Sequence, residues 1–232
     1  MNGRAIVVTG AFGALGQVVA ATAARRGARV AALDVAAAPP AGLCERLGAD
    51  ALSLGGVDLT SIEGARRAMD EVKTRFGGLD ALVNVAGGFA WETVENGDSA
   101  TWDRLFAVNV KTALNASKAA LPYLLESGAG RIVNVGALAA LKSDAGMGAY
   151  TASKAGVHRL TESLAEELKN RGVTVNAVLP SIIDTPANRA QMPEAVFDRW
   201  VAPADLAAVI LFLASREAKA VTGALMPVVG GV

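Results

Sequence analysis

Ala5-Ile-Val-Val8 is an unbroken apolar run, short and β-branched, as expected of a strand buried on both faces. The spacing then changes. Val18, Val19 and the alanines through Ala24 follow a helical interval, with Gly27 as a stop. The alternation repeats along the chain. Strands are predicted at 29–33, 51–54, 81–85, 131–135, 173–179 and 225–229. Helices are predicted over 101–125, 150–170 and 203–215, and from an N-cap at Ser61 to Phe76. Strands alternating with helices predict an α/β fold, a single-domain doubly wound parallel sheet of about seven strands with helices on both faces. No break in composition divides residues 1–232, so one domain is expected.

Composition narrows the function classes. At 52% hydrophobic and 19% charged residues the chain has enough apolar surface for a core and is not disordered. The 22 basic residues balance the 22 acidic ones, so nothing is left over to neutralise a nucleic acid backbone. Cys44 and His158 are the single cysteine and single histidine, which excludes an internal disulfide and a Cys- or His-rich metal centre. These features suggest a reduced, cytoplasmic protein. The stretch from Ala5 to Ala24 carries no charge, but Thr9, Gly10, Gly13, Gly16 and Gln17 interrupt it. Strand, turn and helix explain it better than a targeting segment or a membrane span.

Candidate chemistry begins at Gly10-Ala-Phe12-Gly13-Ala14-Leu15-Gly16, between the first strand and the first helix. Glycines there permit a tight turn and a close approach of a pyrophosphate to the helix N-terminus. Asp34 follows Gly16 by 18 residues, at the end of the second strand. A carboxylate there accepts bonds from both adenosine ribose hydroxyls and repels a 2′-phosphate, and no Lys or Arg immediately follows it. NAD(H) is therefore expected over NADP(H).

With these residues in place, the sequence resembles the short-chain dehydrogenase/reductase family over essentially its whole length, which implies a Rossmann-type NAD(P)-binding domain. The resemblance implies that Asp58, with Leu59 beside it, contacts adenine. It matches Asn84-Val-Ala86-Gly87 to the family's Asn-Asn-Ala-Gly, so these residues are expected at the cofactor and central sheet. It matches Asn109 to the asparagine anchoring a relay water, and Tyr150-Thr-Ala-Ser-Lys154 to Tyr-x-x-x-Lys. Pro180, Ile183 and Thr185 match the segment that grips the nicotinamide carboxamide. Tyr150 and Lys154, four apart, share a helical face. An ammonium beside a phenol lowers its pKa from about 10, and such a phenol exchanges a proton while a nicotinamide exchanges hydride.

The departures are as informative. Thirteen residues before the tyrosine, where the family usually has a serine, stands Ala137. Loss of such a hydrogen-bond donor costs about 10²–10³ in turnover. Ser143 is the nearest other hydroxyl in that segment. Gly13-Ala-Leu-Gly16, Gly136-Ala137 and the run from Asp184 to Trp200 are similar to the dihydropteridine reductases, which also lack the serine. That likeness suggests a compact, conjugated substrate such as a quinonoid dihydropterin. An ordinary alcohol/ketone or 3-oxoacyl reductase is the alternative, and a non-catalytic dinucleotide-binding sensor is a third reading.

Residues 186–202 occupy the family's substrate loop, where Arg189 and Trp200 are candidate substrate contacts, as is Phe89 upstream. Each has an ordinary structural alternative, a solvated charge for Arg189 and core or interface packing for the aromatics. His158 is expected at the surface or at a subunit contact. The resemblance also implies a homodimer or homotetramer built on the helices at 101–125 and 150–170.

Overall fold

Strand β1 (Ala5–Thr9) is buried at every position. Ile6 and Val8 face one layer of helices, while Ala5 and Val7 face the other. That is why the run is apolar without alternation. The computed structural model describes residues 1–231. Seven strands make one sheet in the order β3-β2-β1-β4-β5-β6-β7, and every neighbouring pair is parallel. The remaining strands are β2 (Arg29–Leu33), β3 (Leu52–Leu54), β4 (Ala81–Asn84), β5 (Gly130–Val135), β6 (Val173–Pro180) and β7 (Leu225–Val228).

Two cores result. On one face, α1 (Ala14–Arg25) and α8 (Pro203–Leu213) pack Val19, Ala23, Leu206 and Ile210 against Ile6, Val8 and Val133. On the other, α3 (Ile62–Phe76), α5 (Thr112–Glu126) and α6 (Gly148–Leu168) pack Met69, Val72, Leu124 and Leu168 against Val7, Leu82 and Ile132. Each fully buried side chain of this size contributes about 1.5–3 kcal/mol. The doubly wound sheet expected from the sequence is present. Helix α3 shows how local the signals are. Ser61 Oγ accepts the Gly64 N–H at 3.3 Å, and Gly77 ends the helix at φ 75°.

Two short helices escape the periodicity, α2 (Leu43–Leu47) and α7 (Pro186–Gln191). The predicted helix at 101–125 is also corrected. It is α4 (Ser99–Phe106), then a π-helical turn at Ala107–Lys111, then α5. Asp98 starts it, accepting the Ala100 N–H at 2.9 Å. Among the described residues no helix is long and apolar enough to cross a membrane, and no group of three or more His, Cys, Asp or Glu gathers as a metal site.

Candidate active site

The sheet order reverses between β1 and β4, and a cavity of about 1440 Å³ opens over the carboxyl ends of the strands there. This is where an open α/β sheet presents a binding crevice. The glycine turn forms one wall. Gly10 sits at φ 62°, and a Cβ on it would lie 2.8 Å from the Ala86 Cα. A Cβ on Gly16 would lie 2.0 Å from the Gly10 carbonyl oxygen, so only glycine lets α1 start this close to the turn. Gly13 caps α1 without a side-chain hydrogen bond. The first N–H groups of the helix are left for an anion.

Beside that wall, Asp34 is held in place by the backbone. Its Oδ2 accepts the Phe12 N–H at 2.9 Å and its Oδ1 the Ala36 N–H at 3.0 Å. Each oxygen keeps acceptor capacity for a further hydroxyl. Asp58 faces the same cavity, and the side-chain and backbone bonds from Thr60, at 2.6 and 2.8 Å, hold its carboxyl below the usual range. Thr9, for which the sequence suggests no site role, joins the two strand ends. Its Oγ1 accepts the N–H groups of Val85 and Ala86, each at 3.2 Å.

Tyr150 and Lys154 both project from α6 into the cavity wall. The Lys154 Nζ donates to the Val135 carbonyl at 2.8 Å, and burial pushes its pKa down to about 8. The expectation that the ammonium lowers the Tyr150 phenol is not met in the protein on its own. Burial pushes that phenol up to about 12. Asn109 lies behind the wall, on the π-helical turn. Its Oδ1 accepts the Gly88 N–H at 2.9 Å, and its Nδ2 donates to Gly88 O and to Ser153 Oγ. The extra residue of the π turn turns this side chain inward. π turns of this kind recur at functional sites. A Cβ on Gly87 would meet Asn109 Oδ1 at 2.6 Å, so the β4 end fits only as glycine.

Ala137 is buried and lines the cavity. Ser143 does not line it, and its hydroxyl is bonded to Asp144 O and Thr151 Oγ1. No hydroxyl from this loop stands in for the absent one. Instead, His158 lies under the loop. The expectation of a surface or subunit-contact histidine is corrected, because it is 1% exposed and its Nε2 accepts the Ala137 N–H at 3.4 Å. A Cβ on Gly136 would come within 2.6 Å of that nitrogen, so Gly136 makes room for the ring. Burial, with Arg159 and Lys154 adding repulsion, pushes the His158 pKa down to about 4.

This gives a signed prediction. From pH 6.5 down to about 4 the unfolded chain takes up a proton at His158 and the folded chain does not. Stability is fully present above pH 6.5 and falls by up to about 3 kcal/mol through that window. His158→Gln keeps an acceptor for the Ala137 N–H but does not titrate. Its melting temperature should fall less between pH 7.5 and 4.5 than that of the native protein. An equal fall would remove His158 as the cause.

Of the residues expected to be catalytic, cofactor-binding or substrate-binding, all but Asn84, Asn109, Arg189 and Trp200 line the cavity. Asn84 takes the central-sheet part of its expected role and does not line the cofactor cavity. It is buried, and its Nδ2 donates to Asn134 Oδ1 at 2.9 Å and Ser117 Oγ at 3.2 Å. Arg189 is turned away from the cavity. It makes a bidentate pair with Asp184 at 2.6 and 2.7 Å and stacks on Phe197. Trp200 is buried against Phe197, with ring centroids 4.8 Å apart. The wall from this segment is made by Asn188, Gln191 and Met192, with Met147 and Trp91 across the opening. Phe89 meets the Tyr150 ring edge-on at 4.9 Å.

The comparisons agree with this geometry. Residues 4–195 match the family model for short chain dehydrogenase. The 2-(S)-hydroxypropyl-CoM dehydrogenase 3 of Xanthobacter autotrophicus is 36% identical, over all of this chain and 97% of its own length. The 3-oxoacyl-[acyl-carrier-protein] reductase FabG of Vibrio cholerae is 31% identical, over all of this chain and 98% of its own. A crystal structure of NAD⁺-bound xylitol dehydrogenase superposes with a TM-score of 0.89 at 27% identity, covering 99% of each chain. A catalytically idle sensor is thereby set aside, and the local likeness to dihydropteridine reductases adds no family of its own. The glycine turn, the switch-point cavity and the Tyr-Lys helix are those of an oxidoreductase working with a nicotinamide cofactor, and the chain belongs to the short-chain dehydrogenase family.

Proposed function

We propose that this chain uses NAD(H) in preference to NADP(H) and reduces a compact, conjugated substrate of the quinonoid dihydropterin type. Ala137 on the cavity wall is the observation that carries the reading. A ketone that becomes an alkoxide needs a donor beside Tyr150. A substrate whose charge is spread over a conjugated ring needs it less. Phe89 and Trp91 give the opening two flat apolar faces suited to such a ring.

The cofactor, when bound, supplies hydride. The chain's own groups do the rest. Asp34 accepts the ribose hydroxyls, and among the described residues the wall beside it, Val35, Ala36 and Val57, offers no cation to a 2′-phosphate. Asp58 and Leu59 border the adenine end, and Ala86, Gly87, Pro180, Ile183 and Thr185 border the nicotinamide end. Lys154 holds the ribose, Asn109 orders a water, and Tyr150 delivers the proton. At neutral pH the phenol carries a proton, which suits Tyr150 to the acid role in reduction. Trp102, Phe106 and Leu114, exposed on α4 and α5, support assembly into a homodimer or homotetramer, which sedimentation velocity reads directly.

The test is NADH oxidation by the purified protein. Quinonoid dihydropterin should turn over saturably and faster with NADH than with NADPH, and small ketones and 3-oxoacyl thioesters should be poor. In Ala137→Ser, ketone turnover should rise about tenfold or more, within the 10²–10³ that one such donor is worth. Fast ketone turnover in the native protein, unchanged in Ala137→Ser, would move the assignment to an ordinary carbonyl reductase. Similarity to the 3-oxoacyl-[acyl-carrier-protein] reductase FabG favours that second reading.

A further inference from the structure

A second cavity, of about 480 Å³, opens at the opposite end of the strands, where β5 and β6 begin. Its wall carries Arg131, Lys169, Arg216 and Lys219 and no acidic residue. In a chain whose formal charge is zero, that is a concentrated positive site. Its floor is built rather than incidental. Arg131 is 3% exposed, with Nε fixed on Ser215 O at 2.9 Å and Nη1 on Gly130 O at 2.8 Å. Among the described residues its Nη2 has no acceptor. Arg4 lies directly behind, donating through Nη2 to Ala129 O at 3.2 Å and Asp80 O at 2.9 Å. Its Nε and Nη1 are buried without any acceptor, and so is Thr174 Oγ1, which is in the cavity wall.

Buried donors normally find partners, and each unmade bond costs about 1–3 kcal/mol. Burial lowers the pKa of both Arg4 and Arg131, and the charge of Arg216 lowers both further. Asp80 offsets this for Arg4 alone, and Lys169 is partly satisfied by Glu166 at 3.3 Å. Arg216 and Lys219 are both exposed, and among the described residues neither makes an ion pair. The guanidiniums of Arg131 and Arg216 and the ammoniums of Lys169 and Lys219 line one cavity and are complementary to a dianion, while Arg4, behind Arg131, adds positive charge without lining it.

We propose that this cavity is a second ligand site, separate from the cofactor site, that binds a phosphate-class oxyanion as the free ion or as the phosphoryl group of a small ester. The volume is more than one such ion fills, so an ester has room beyond the phosphoryl group.

Thermal melts test it on the full chain saturated with NADH, which occupies the start of α1. Inorganic phosphate should raise the melting temperature by about 3–6 °C at ten times its Kd, beyond sodium chloride at equal ionic strength. Glycerol phosphate acting at lower concentration than phosphate supports an ester as the ligand, and equal potency supports the free ion. In the double variant Arg216→Gln, Lys219→Gln the rise should vanish, and the melting temperature without phosphate should hold or increase as like charges are removed. NADH oxidation should be unchanged in that variant. A phosphate effect no larger than that of chloride, or one that survives in the variant, would overturn the site. The difference between native protein and variant is also expected without NADH, so the outcome does not depend on the cofactor assignment.

Discussion

Tyr150→Phe should lower turnover by about 10²–10⁴ while leaving NADH affinity within a few-fold. The substitution removes one oxygen and little else. The ring stays in its edge contact with Phe89, 4.9 Å between centroids. The Lys154 ammonium stays on Val135 O at 2.8 Å, so the second basic group is not disturbed. Stability should hold, because no hydrogen bond to the protein is broken. What disappears is the proton delivered to the reduced substrate. Because the phenol is protonated at neutral pH, the native rate should not need prior titration of Tyr150, and the loss in the variant should be similar from pH 6 to 8. Fluorescence titration gives the NADH affinity and absorbance at saturation gives turnover. A fall in kcat with KM unchanged places Tyr150 in the transition state. Raised KM with native kcat would make it a binding contact, and full activity would remove it from the chemistry.

How much of this was legible depends on the range over which each signal acts. The Gly10–Gly16 turn, Asp34 and the Tyr150–Lys154 pair are set within one turn or one strand end, and the structure brings them to one cavity. Arg189 and Trp200 are left with two roles each by the sequence, and the structure places both in the ordinary one, paired with Asp184 and Phe197. A short helical segment leaves no trace in the hydrophobic period to show which wins. The π turn at Ala107–Lys111 inserts one residue into a helix, and a count at 3.6 residues per turn cannot detect that. His158 needed knowledge of Gly136 at the end of β5, and the Arg4, Arg131 and Arg216 cluster needed residues more than 80 positions apart in sequence. Only the topology supplies those neighbours.

Gly16→Ala should reverse the usual effect of replacing a helical glycine. At an unconstrained helix position, alanine gains about 0.5–1 kcal/mol over glycine. Gly16 is in the first turn of α1 with an ordinary helical φ, so propensity alone predicts a more stable protein. The surroundings predict the opposite. The new Cβ would stand 2.0 Å from Gly10 O and 2.8 Å from the Ala11 Cα, and both are backbone atoms that cannot rotate away. Helix α1 must then move off the turn, taking Val19 and Ala23 from their packing on the sheet and α8. Overpacking of this kind costs about 1–3 kcal/mol, which in a chain of this size is a fall of roughly 2–12 °C in melting temperature. NADH affinity should fall with it, since the same shift displaces the first N–H groups of α1. Gly13→Ala separates the two effects. Its Cβ would lie 3.4 Å from Gly10 O, at the edge of ordinary contact, so the fold should hold while the added methyl group stands where the pyrophosphate approaches. A stable Gly13→Ala protein with weakened NADH binding, beside a destabilised Gly16→Ala, would divide the motif into one glycine for the ligand and one for the helix. Equal stability loss in both would mean that the turn serves the fold at each position and carries no separate evidence for the pyrophosphate.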